Sequence, residues 1–216
     1  MNLFGRATTG ENIVAKQASV AQHVPELRIL LVSSLATCFA ALVLAVTLYR
    51  ITRETDSDVA RLAMTCRVAE AATGGIFLLA MRALLWLGTA PATSVRISEG
   101  EQIVATVLFK ILGWNSLLGA MFFAVGSTLF SLLFLRGHTV PDSLAWLGII
   151  ASILLVLVLP LQLVGIFPGS VGQLIWLPMV FFEAALALWL IIKGVRSTEA
   201  EATSIRTQDR ELPTAI

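Results

Sequence analysis

The sequence has few charged residues and, over one long stretch, none at all. Charged side chains make up 13% of the 216 residues, about half the share typical of soluble domains. Residues 143–182 contain no charged side chain, and a soluble fold could not bury so much apolar surface. The stretch is long enough for two helices of about 20 residues, each able to cross the hydrocarbon layer. Pro168 and Gly169 interrupt it and predict the turn of a membrane hairpin.

Sequence motifs that mark common soluble functions are also absent. There is no G-x-S-x-G, H-E-x-x-H, P-loop or C-x-x-C motif, so a hydrolase or an ATPase is not indicated. A net charge of +1 with scattered basic residues argues against a nucleic-acid partner. Cys38 and Cys66 predict neither a disulfide nor a metal cluster, and His23 and His138 fall on opposite predicted sides of the membrane. We expect no metal, no cofactor and no catalytic residue, and enzymatic activity is not favoured.

Apolar runs predict an all-α fold, a polytopic transmembrane helix bundle with five spans. Each run has the length that a membrane-crossing helix requires. Residues 1–28 lack the apolar core of a cleavable signal peptide and form a polar N-terminal segment. The transmembrane helical domain covers 29–195, and 196–216 are predicted to be a flexible cytoplasmic tail. The predicted spans are 29–49, 68–87, 111–135, 143–167 and 171–192.

One further helix is predicted before the third span. Ser98 and Glu101 have the spacing of a capping box, which favours a helix start. Apolar residues then recur on one helical face, so 99–112 is predicted to be an amphipathic helix that could lie at the membrane interface. Joined to the third span it would form a helix of about 55 Å, which exceeds the membrane thickness. We therefore expect a bend near Gly113.

The basic residues predict an orientation, because Lys and Arg are enriched in cytoplasmic connections. Five spans place nine basic residues on one side and five on the other. The sequence therefore predicts a multi-pass protein of the bacterial inner membrane with its N-terminus outside and its C-terminus in the cytoplasm. The nine residues on the predicted cytoplasmic side are Arg50, Arg53, Arg61, Arg67, Arg136, Lys193, Arg196, Arg206 and Arg210.

Two stripes of small residues suggest where helices meet. Helices in lipid associate through close packing of small side chains and a few polar contacts. We expect both stripes to be buried interfaces, although small residues are common enough in membrane helices for such a register to arise by chance. Lipids are the expected surroundings, and a homo-oligomer remains open. The stripes are Ser33, Thr37, Ala41 and Ala45 on the first span and Ser116, Ala120, Ala124 and Thr128 on the third.

Polar residues inside the spans are the candidate functional groups. Glu183 falls near the middle of the fifth span, where ionisable residues face the bundle interior, pair, or line a water path. It is interpreted first as a structural group, second as part of a proton or solute pathway, and third as catalytic. Arg67 and Glu70 are spaced i, i+3 and predict a structural clamp at the inner end of the second span. Arg82 is expected to snorkel. Further candidates are Asn115 and Gln162.

Four local strings occur in the order and spacing of a known family. They are Leu-Tyr-Arg at 48–50, Arg-Val-Ala-Glu-Ala at 67–71, and the segments 140–148 and 183–194. Together they resemble the bacterial multi-pass membrane proteins of domain of unknown function 4386 over residues 25–195. The resemblance implies an all-helical inner-membrane protein and supplies no activity, ligand or catalytic residue. Family members usually carry one more apolar helix before the segment equivalent to 29–49, and residues 1–27 contain no run of that length.

These patterns favour an integral membrane protein with a structural, sensory or accessory role. The alternative is a small-solute or proton-coupled transporter, in which Glu183, Gln162 and Asn115 converge with Pro178 on a polar cavity. An intramembrane enzyme would need a second carboxylate, histidine or serine within hydrogen-bond reach of Glu183. The sequence does not identify a small-molecule ligand.

Overall fold

The computed structural model describes residues 12–89, 98–166 and 174–193. These residues form six helices and no strand, which confirms the predicted all-α class. Four of them, α2 to α5, are long and apolar enough to cross a membrane. The sixth has 17 residues and corresponds to the predicted fifth span, of which 171–173 lie outside the described residues. The helices are α1 (Ile13–Gln22), α2 (Val24–Thr52), α3 (Ser57–Thr89), α4 (Glu99–Gly137), α5 (Asp142–Leu163) and α6 (Leu177–Lys193).

Helices α3 and α4 are antiparallel and lie against each other along much of their lengths. Gly137, the last residue of α4, faces Thr55 just before α3 begins. Further along the pair, a Cβ on Gly119 would lie 2.6 Å from the Thr73 hydroxyl oxygen. Glycine at these points allows the two helices to approach closely, which is how helices associate in lipid.

Helices α4, α5 and α6 meet at a second close contact. Gly148 of α5 faces Ser131 of α4, and a Cβ on Gly148 would lie 2.5 Å from ring carbons of Phe182 on α6. Helix α2 packs mainly on α3, where the Cys38 sulfur lies against Gly74. Cys38 and Cys66 are both free and half-buried. The bundle therefore depends on positions that lack a side chain as well as on large apolar residues.

The predicted amphipathic helix and third span form one uninterrupted helix, α4, of 39 residues. The capping box is confirmed: the Ser98 N–H donates to Glu101 Oε2 at 2.8 Å, and the Glu101 N–H donates to Ser98 Oγ at 3.3 Å. The helix continues through Gly113, so the segment 99–112 is not a separate interfacial helix. Ala105 and Leu112 are buried among side chains of α1 and α3, so the N-terminal part of α4 packs within the bundle.

Helix α1 lies in the segment that the sequence indicated only as polar. Its N-cap is Asn12, whose side chain accepts a hydrogen bond from the Ala15 N–H at 2.8 Å. Val20 is buried and lies against α3, where a Cβ on Gly88 would be 3.2 Å from Val20 Cγ1. The buried Gln17 and Val20 face the bundle, so α1 covers the end of α3.

One end of the bundle carries half of the ten described Lys and Arg side chains, and we call it the basic end. It is formed by the α2–α3 connection 53–56, the α4–α5 connection 138–141, and Lys193 at the end of α6. Arg136 and Asp56 bridge the two connections at 3.8 Å. His138 ends α4 in a left-handed conformation with φ 48°. Helix α1 lies at the opposite end, beside Gly88 of α3.

Candidate functional site

Arg67 is the most deeply buried charged side chain described, with 7% of its side chain exposed. It lies ten residues into α3, about 15 Å from the start of the helix. The sequence had predicted it at the inner end of a span beginning at residue 68. Because α3 already begins at Ser57, Arg67 is well inside the helix and needs partners there.

Two residues of α4 make room for this arginine. Its guanidinium carbon lies 4.7 Å from the centre of the Phe123 ring, a cation–π contact. A Cβ on Gly126 would lie 3.2 Å from both Cγ and Cδ of Arg67, so the missing side chain there accommodates the stem of the arginine. An arginine buried against a neighbouring helix is costly unless its charge is balanced.

Glu70 provides the direct counter-charge. Its Oε2 lies 2.8 Å from Arg67 Nη1, and the pair has the i, i+3 spacing of a helix face. The two atoms are close but not aligned as a hydrogen bond, and Arg67 Nε has no hydrogen-bond partner either. The Glu70 side chain is 25% exposed, so this ion pair extends from the interior to the surface of the bundle.

Glu183 of α6 lies near the same ion pair. Its neighbour Phe182 belongs to the buried cluster that contains Phe123, on which Arg67 packs. Glu183 is ten residues from Lys193, which places it about 15 Å from the basic end, the same depth as Arg67.

Arg67, Glu70 and Glu183 are called the charge cluster below. Glu183 is exposed in the isolated chain and makes no hydrogen bond or ion pair within the residues described. From the sequence alone, Glu183 could not be linked to Arg67 and Glu70, because more than a hundred residues separate them along the chain. The structure brings three charges, one positive and two negative, to one level of the bundle.

Asn115 and Thr73 form a second polar contact between α3 and α4. Asn115 Nδ2 donates to the Thr73 carbonyl oxygen at 2.9 Å, and the Thr73 hydroxyl donates to the Glu70 carbonyl oxygen at 2.6 Å. Asn115 Oδ1 is buried without a hydrogen-bond partner. Asn115 lies eight residues from Phe123 on α4, about 12 Å further from the basic end. It supports helix association rather than joining the charge cluster directly.

The other polar candidates lie apart from this cluster. Gln162 is half-buried and twenty residues from the start of α5, about 30 Å from the basic end. The predicted convergence of Gln162 and Asn115 with Glu183 on one cavity is therefore wrong, since Glu183 is about 15 Å from that end. Arg82 is exposed on α3, seven residues before Thr89. Its snorkelling remains a prediction.

The two stripes of small residues are only partly at helix interfaces within the chain. On each helix the first residue of the stripe is exposed, and one residue, Ala45 on α2 and Ala124 on α4, is fully buried. The inward face of α2 includes Cys38, which lies against Gly74 of α3, together with Ala41 and Ala45 of the predicted stripe. Ser33, Thr37 and Ser116 are exposed, Ala41, Ala120 and Thr128 are half-buried, and Ala45 and Ala124 are buried.

The glycines of α4 and α5 were missed as interface residues. Gly119 and Gly148 each face a side chain of a neighbouring helix that an added Cβ would approach within 3 Å, and at Gly126 the approach would be a tight 3.2 Å. A glycine inside an apolar helix is unfavourable unless close packing requires it, and that was the available signal. No group of three or more histidine, cysteine or acidic residues suited to a metal occurs in the described ranges.

Among curated proteins and solved structures, none matches this chain. A protein-family comparison does give a match, to the family described as Domain of unknown function (DUF4386), over residues 4–194. The match covers all six described helices and includes α1, which precedes the region of the resemblance noted from local strings. Together with four helices long and apolar enough to cross a membrane, it leads to one conclusion: the chain belongs to the DUF4386 family of membrane proteins.

Proposed function

We propose that this chain has an accessory or sensory role in the membrane, in which the charge cluster determines how α6 packs on the other helices. The observation that carries this proposal is the position of Arg67. Its buried guanidinium pairs with Glu70 on α3, packs on Phe123 of α4, and lies about as deep in the bundle as Glu183 of α6. A buried charge that loses its partner is strongly destabilising. A change of charge at this point therefore alters helix packing.

The orientation that accompanies this role has the basic end in the cytoplasm of a bacterial cell. The C-terminus is then inside and the N-terminus outside, and the protein lies in the inner membrane. Support comes from the basic side chains near the α2–α3 and α4–α5 connections, since such residues favour the cytoplasmic side. Reporter domains fused after residue 216 should be active only in the cytoplasm. A fusion active in the periplasm would show that the protein has the opposite orientation.

Lipids and a second copy of the chain are the proposed partners. The outward face of α2 is largely apolar between Arg28 and Arg50 and includes Ile29, Val32, Phe39 and Val43, all exposed. Exposed apolar residues of this kind are matched by lipid tails. The exposed hydroxyls of Ser33 and Thr37 donate to carbonyl oxygens of their own helix, so they can face lipid without an unpaired donor.

The accessory or sensory role can be tested by measuring the separation of α3 and α6. Spin labels at positions 62 and 188 replace exposed leucines, each five residues from the basic end of its helix, in a variant with Cys38 and Cys66 changed to serine. Electron–electron double resonance then measures the label-to-label distance distribution. Glu70→Gln should shift or broaden this distribution, whereas Glu99→Gln, at the exposed start of α4, should leave it unchanged. An unchanged distribution in Glu70→Gln would contradict the role.

A proton-coupled transporter is the second candidate, and one observation favours it. Two carboxylates at one depth of the bundle, Glu70 and Glu183, flank a buried arginine whose Nε has no hydrogen-bond partner. Carboxylates inside membrane-spanning helices are characteristic of proton pathways. Here Glu183 would carry the proton and Arg67 would respond to its charge.

Proton flux into proteoliposomes separates the two functions. Vesicles with a trapped pH-sensitive dye and an imposed potential report proton entry, and the wild-type chain is compared with Glu183→Gln and with the control Glu99→Gln. The accessory role predicts the same flux as in protein-free vesicles for all three. Flux that depends on Glu183 but not on Glu99 would overturn it in favour of transport.

A further inference from the structure

We propose that a cavity at the basic end binds the headgroup of a phosphatidylethanolamine lipid. The cavity has a volume of about 400 Å³ and lies where α4 ends, α5 begins and α6 ends. This inference goes beyond the proposed function, because it does not involve the charge cluster and holds in either orientation of the protein. The polar and aromatic residues that line the cavity are His138, Thr139, Asp142, Trp189 and Lys193.

Two opposite charges line this cavity without pairing with each other. Lys193, from α6, has no carboxylate within ion-pair distance among the residues described. Its ammonium lies 6.0 Å from the centre of the Trp189 ring, a cation–π contact. Asp142, the first residue of α5, has a side chain that is 62% exposed, and its Oδ1 lies 3.2 Å from His138 Nδ1. The cavity therefore offers a cation and an anion to one ligand.

Lys193 and the start of α5 form the side of the cavity that suits a phosphate. Pro141 is the N-cap of α5 and makes no side-chain capping bond, so the first N–H groups of α5 have no acceptor within the helix. Such N–H groups favour an anion at a helix N-terminus. Thr139 adds a buried hydroxyl oxygen that has no hydrogen-bond partner among the described residues. A ligand that bonds this hydroxyl removes the cost of leaving it unpaired.

Asp142 forms the side of the cavity that suits an ammonium group. Its contact with His138 uses only Oδ1, so Oδ2 is available as an acceptor. The primary ammonium of a phosphoethanolamine headgroup can donate to this oxygen, whereas the quaternary ammonium of phosphatidylcholine has no N–H to donate. Phosphatidylglycerol has no positive charge, so its phosphate would meet the carboxylate of Asp142 without compensation. The charges of the cavity therefore match phosphoethanolamine best.

The place of the cavity in the bundle indicates a lipid as the source of this headgroup. Trp and Lys side chains at the ends of membrane-crossing helices lie at the level of the headgroups, and Trp189 and Lys193 are one turn apart at the end of α6. Trp146 and Ile150 follow Asp142 at intervals of four residues on α5, and both are exposed. They continue the helix face that Asp142 begins, so acyl chains can lie along it.

Native mass spectrometry of the full chain, released from detergent micelles, tests the proposal by resolving the bound lipids. Phosphatidylethanolamine, phosphatidylcholine and phosphatidylglycerol with identical acyl chains are each titrated into the wild-type protein. The first phosphatidylethanolamine should bind about tenfold more tightly than either other lipid, the ratio that one hydrogen bond between charged groups provides. Equal affinities for the three lipids would overturn the proposal.

Two substitutions at exposed positions separate the two sides of the cavity. Asp142→Asn should abolish the preference for phosphatidylethanolamine over phosphatidylglycerol, because the carboxylate that attracts one and repels the other is removed. Lys193→Gln should weaken binding of all three lipids, since each carries a phosphate. Glu99→Gln and Lys110→Gln, matched changes at exposed residues of α4 toward the opposite end, should leave the affinities unchanged. A preference that survives Asp142→Asn would contradict this site.

Inorganic phosphate distinguishes a lipid site from a site for soluble phosphate. An excess of it should leave most of the phosphatidylethanolamine bound, because it has neither the ammonium group nor the acyl chains. Complete displacement of the lipid would overturn the proposal in favour of a soluble ligand. Folding of each variant is checked by circular dichroism and by its elution volume in detergent. If one variant does not fold, the other variant and the three wild-type affinities decide the outcome.

Discussion

Helices α2 and α4 differ in a way that reverses the rule for soluble proteins. The most apolar window of α2 has a mean hydropathy of 2.6, yet only 6% of its residues are buried. The corresponding window of α4 is less apolar, with a mean hydropathy of 2.0, and 50% of it is buried. In water the more apolar helix would be the more buried one. In lipid an apolar side chain gains nothing by leaving the tails, so α2 can remain at the periphery.

The buried face of α4 shows what replaces hydrophobicity as the reason for packing. Asn115, Gly119, Gly126 and Ser131 all lie on it, and Arg67 of α3 inserts beside one of these glycines. Small side chains allow close approach, and polar groups find partners that lipid cannot offer. The comparison predicts that α4 and its neighbours are sensitive to small changes, whereas α2 tolerates large ones.

The largest effect is expected when both carboxylates of the charge cluster are removed. The double variant Glu70→Gln, Glu183→Gln leaves a buried arginine without a counter-charge. Its free energy of unfolding should fall by about 3–5 kcal/mol, measured by unfolding in detergent. Each single substitution should cost much less, since the other carboxylate remains. Additive single effects in a double-mutant cycle would contradict the idea that the two carboxylates act on one arginine.

Gly148→Ala should be next in size. A Cβ at this position overlaps Ser131 on one side and Phe182 on the other, and overpacking of this kind typically costs about 1–3 kcal/mol. Gly113→Ala is the matched control, because a Cβ there meets nothing within 4 Å. The control should be neutral or more stable by up to about 1 kcal/mol, owing to the higher helix propensity of alanine. Equal melting temperatures for the two variants would refute the close contact.

A smaller loss is expected for Asn115→Ala. The substitution removes the 2.9 Å hydrogen bond to the Thr73 carbonyl oxygen. Such bonds between membrane helices contribute on average about 0.6 kcal/mol, so the melting temperature in detergent should fall slightly but measurably. Ser116→Ala, at the exposed neighbouring position, should not change it. A larger loss in Ser116→Ala than in Asn115→Ala would show that the exposed face of α4 is covered.

The smallest effect should come from the exposed face of α2. Thr37→Leu adds an apolar side chain where the chain already faces outward, and the free energy of unfolding should change by less than about 0.5 kcal/mol. Ala45→Leu provides the contrast, since Ala45 is fully buried against the bundle and its enlargement should destabilise. If Thr37→Leu instead lowered the oligomeric mass measured in nanodiscs, α2 would be an interface between copies of the chain.

Much of the helix pattern could be predicted because hydropathy is a local property of the sequence. The predicted spans 29–49 and 68–87 lie within α2 and α3, and the capping box marks the start of α4 at Ser98. The predicted separation of 99–112 from the third span was wrong, because contacts with α1 and α3 keep α4 continuous through Gly113. Helix α1 was missed because it is short and only weakly apolar, so its stability depends on packing against α3.

The candidate site was predictable only in part, for the same reason. Arg67 and Glu70 could be paired from their i, i+3 spacing, which is a property of one helix. The residues of α4 that hold Arg67, Phe123 and Gly126, are distant in sequence and gave no local signal of their role. Glu183 could be identified as a candidate from its position in an apolar helix. That it lies as deep in the bundle as Arg67 could not be predicted from the sequence.

The sequence alone determined that the chain contains several helices long and apolar enough to cross a membrane, since the length and apolarity of each run decide whether lipid can solvate it. It also determined which polar residues lie inside those helices. Only the tertiary structure decided which faces meet and that Arg67, Glu70 and Glu183 lie at one level. In lipid, hydropathy does not distinguish an inward face from an outward one, so shape and charge at contacts between distant residues make that choice.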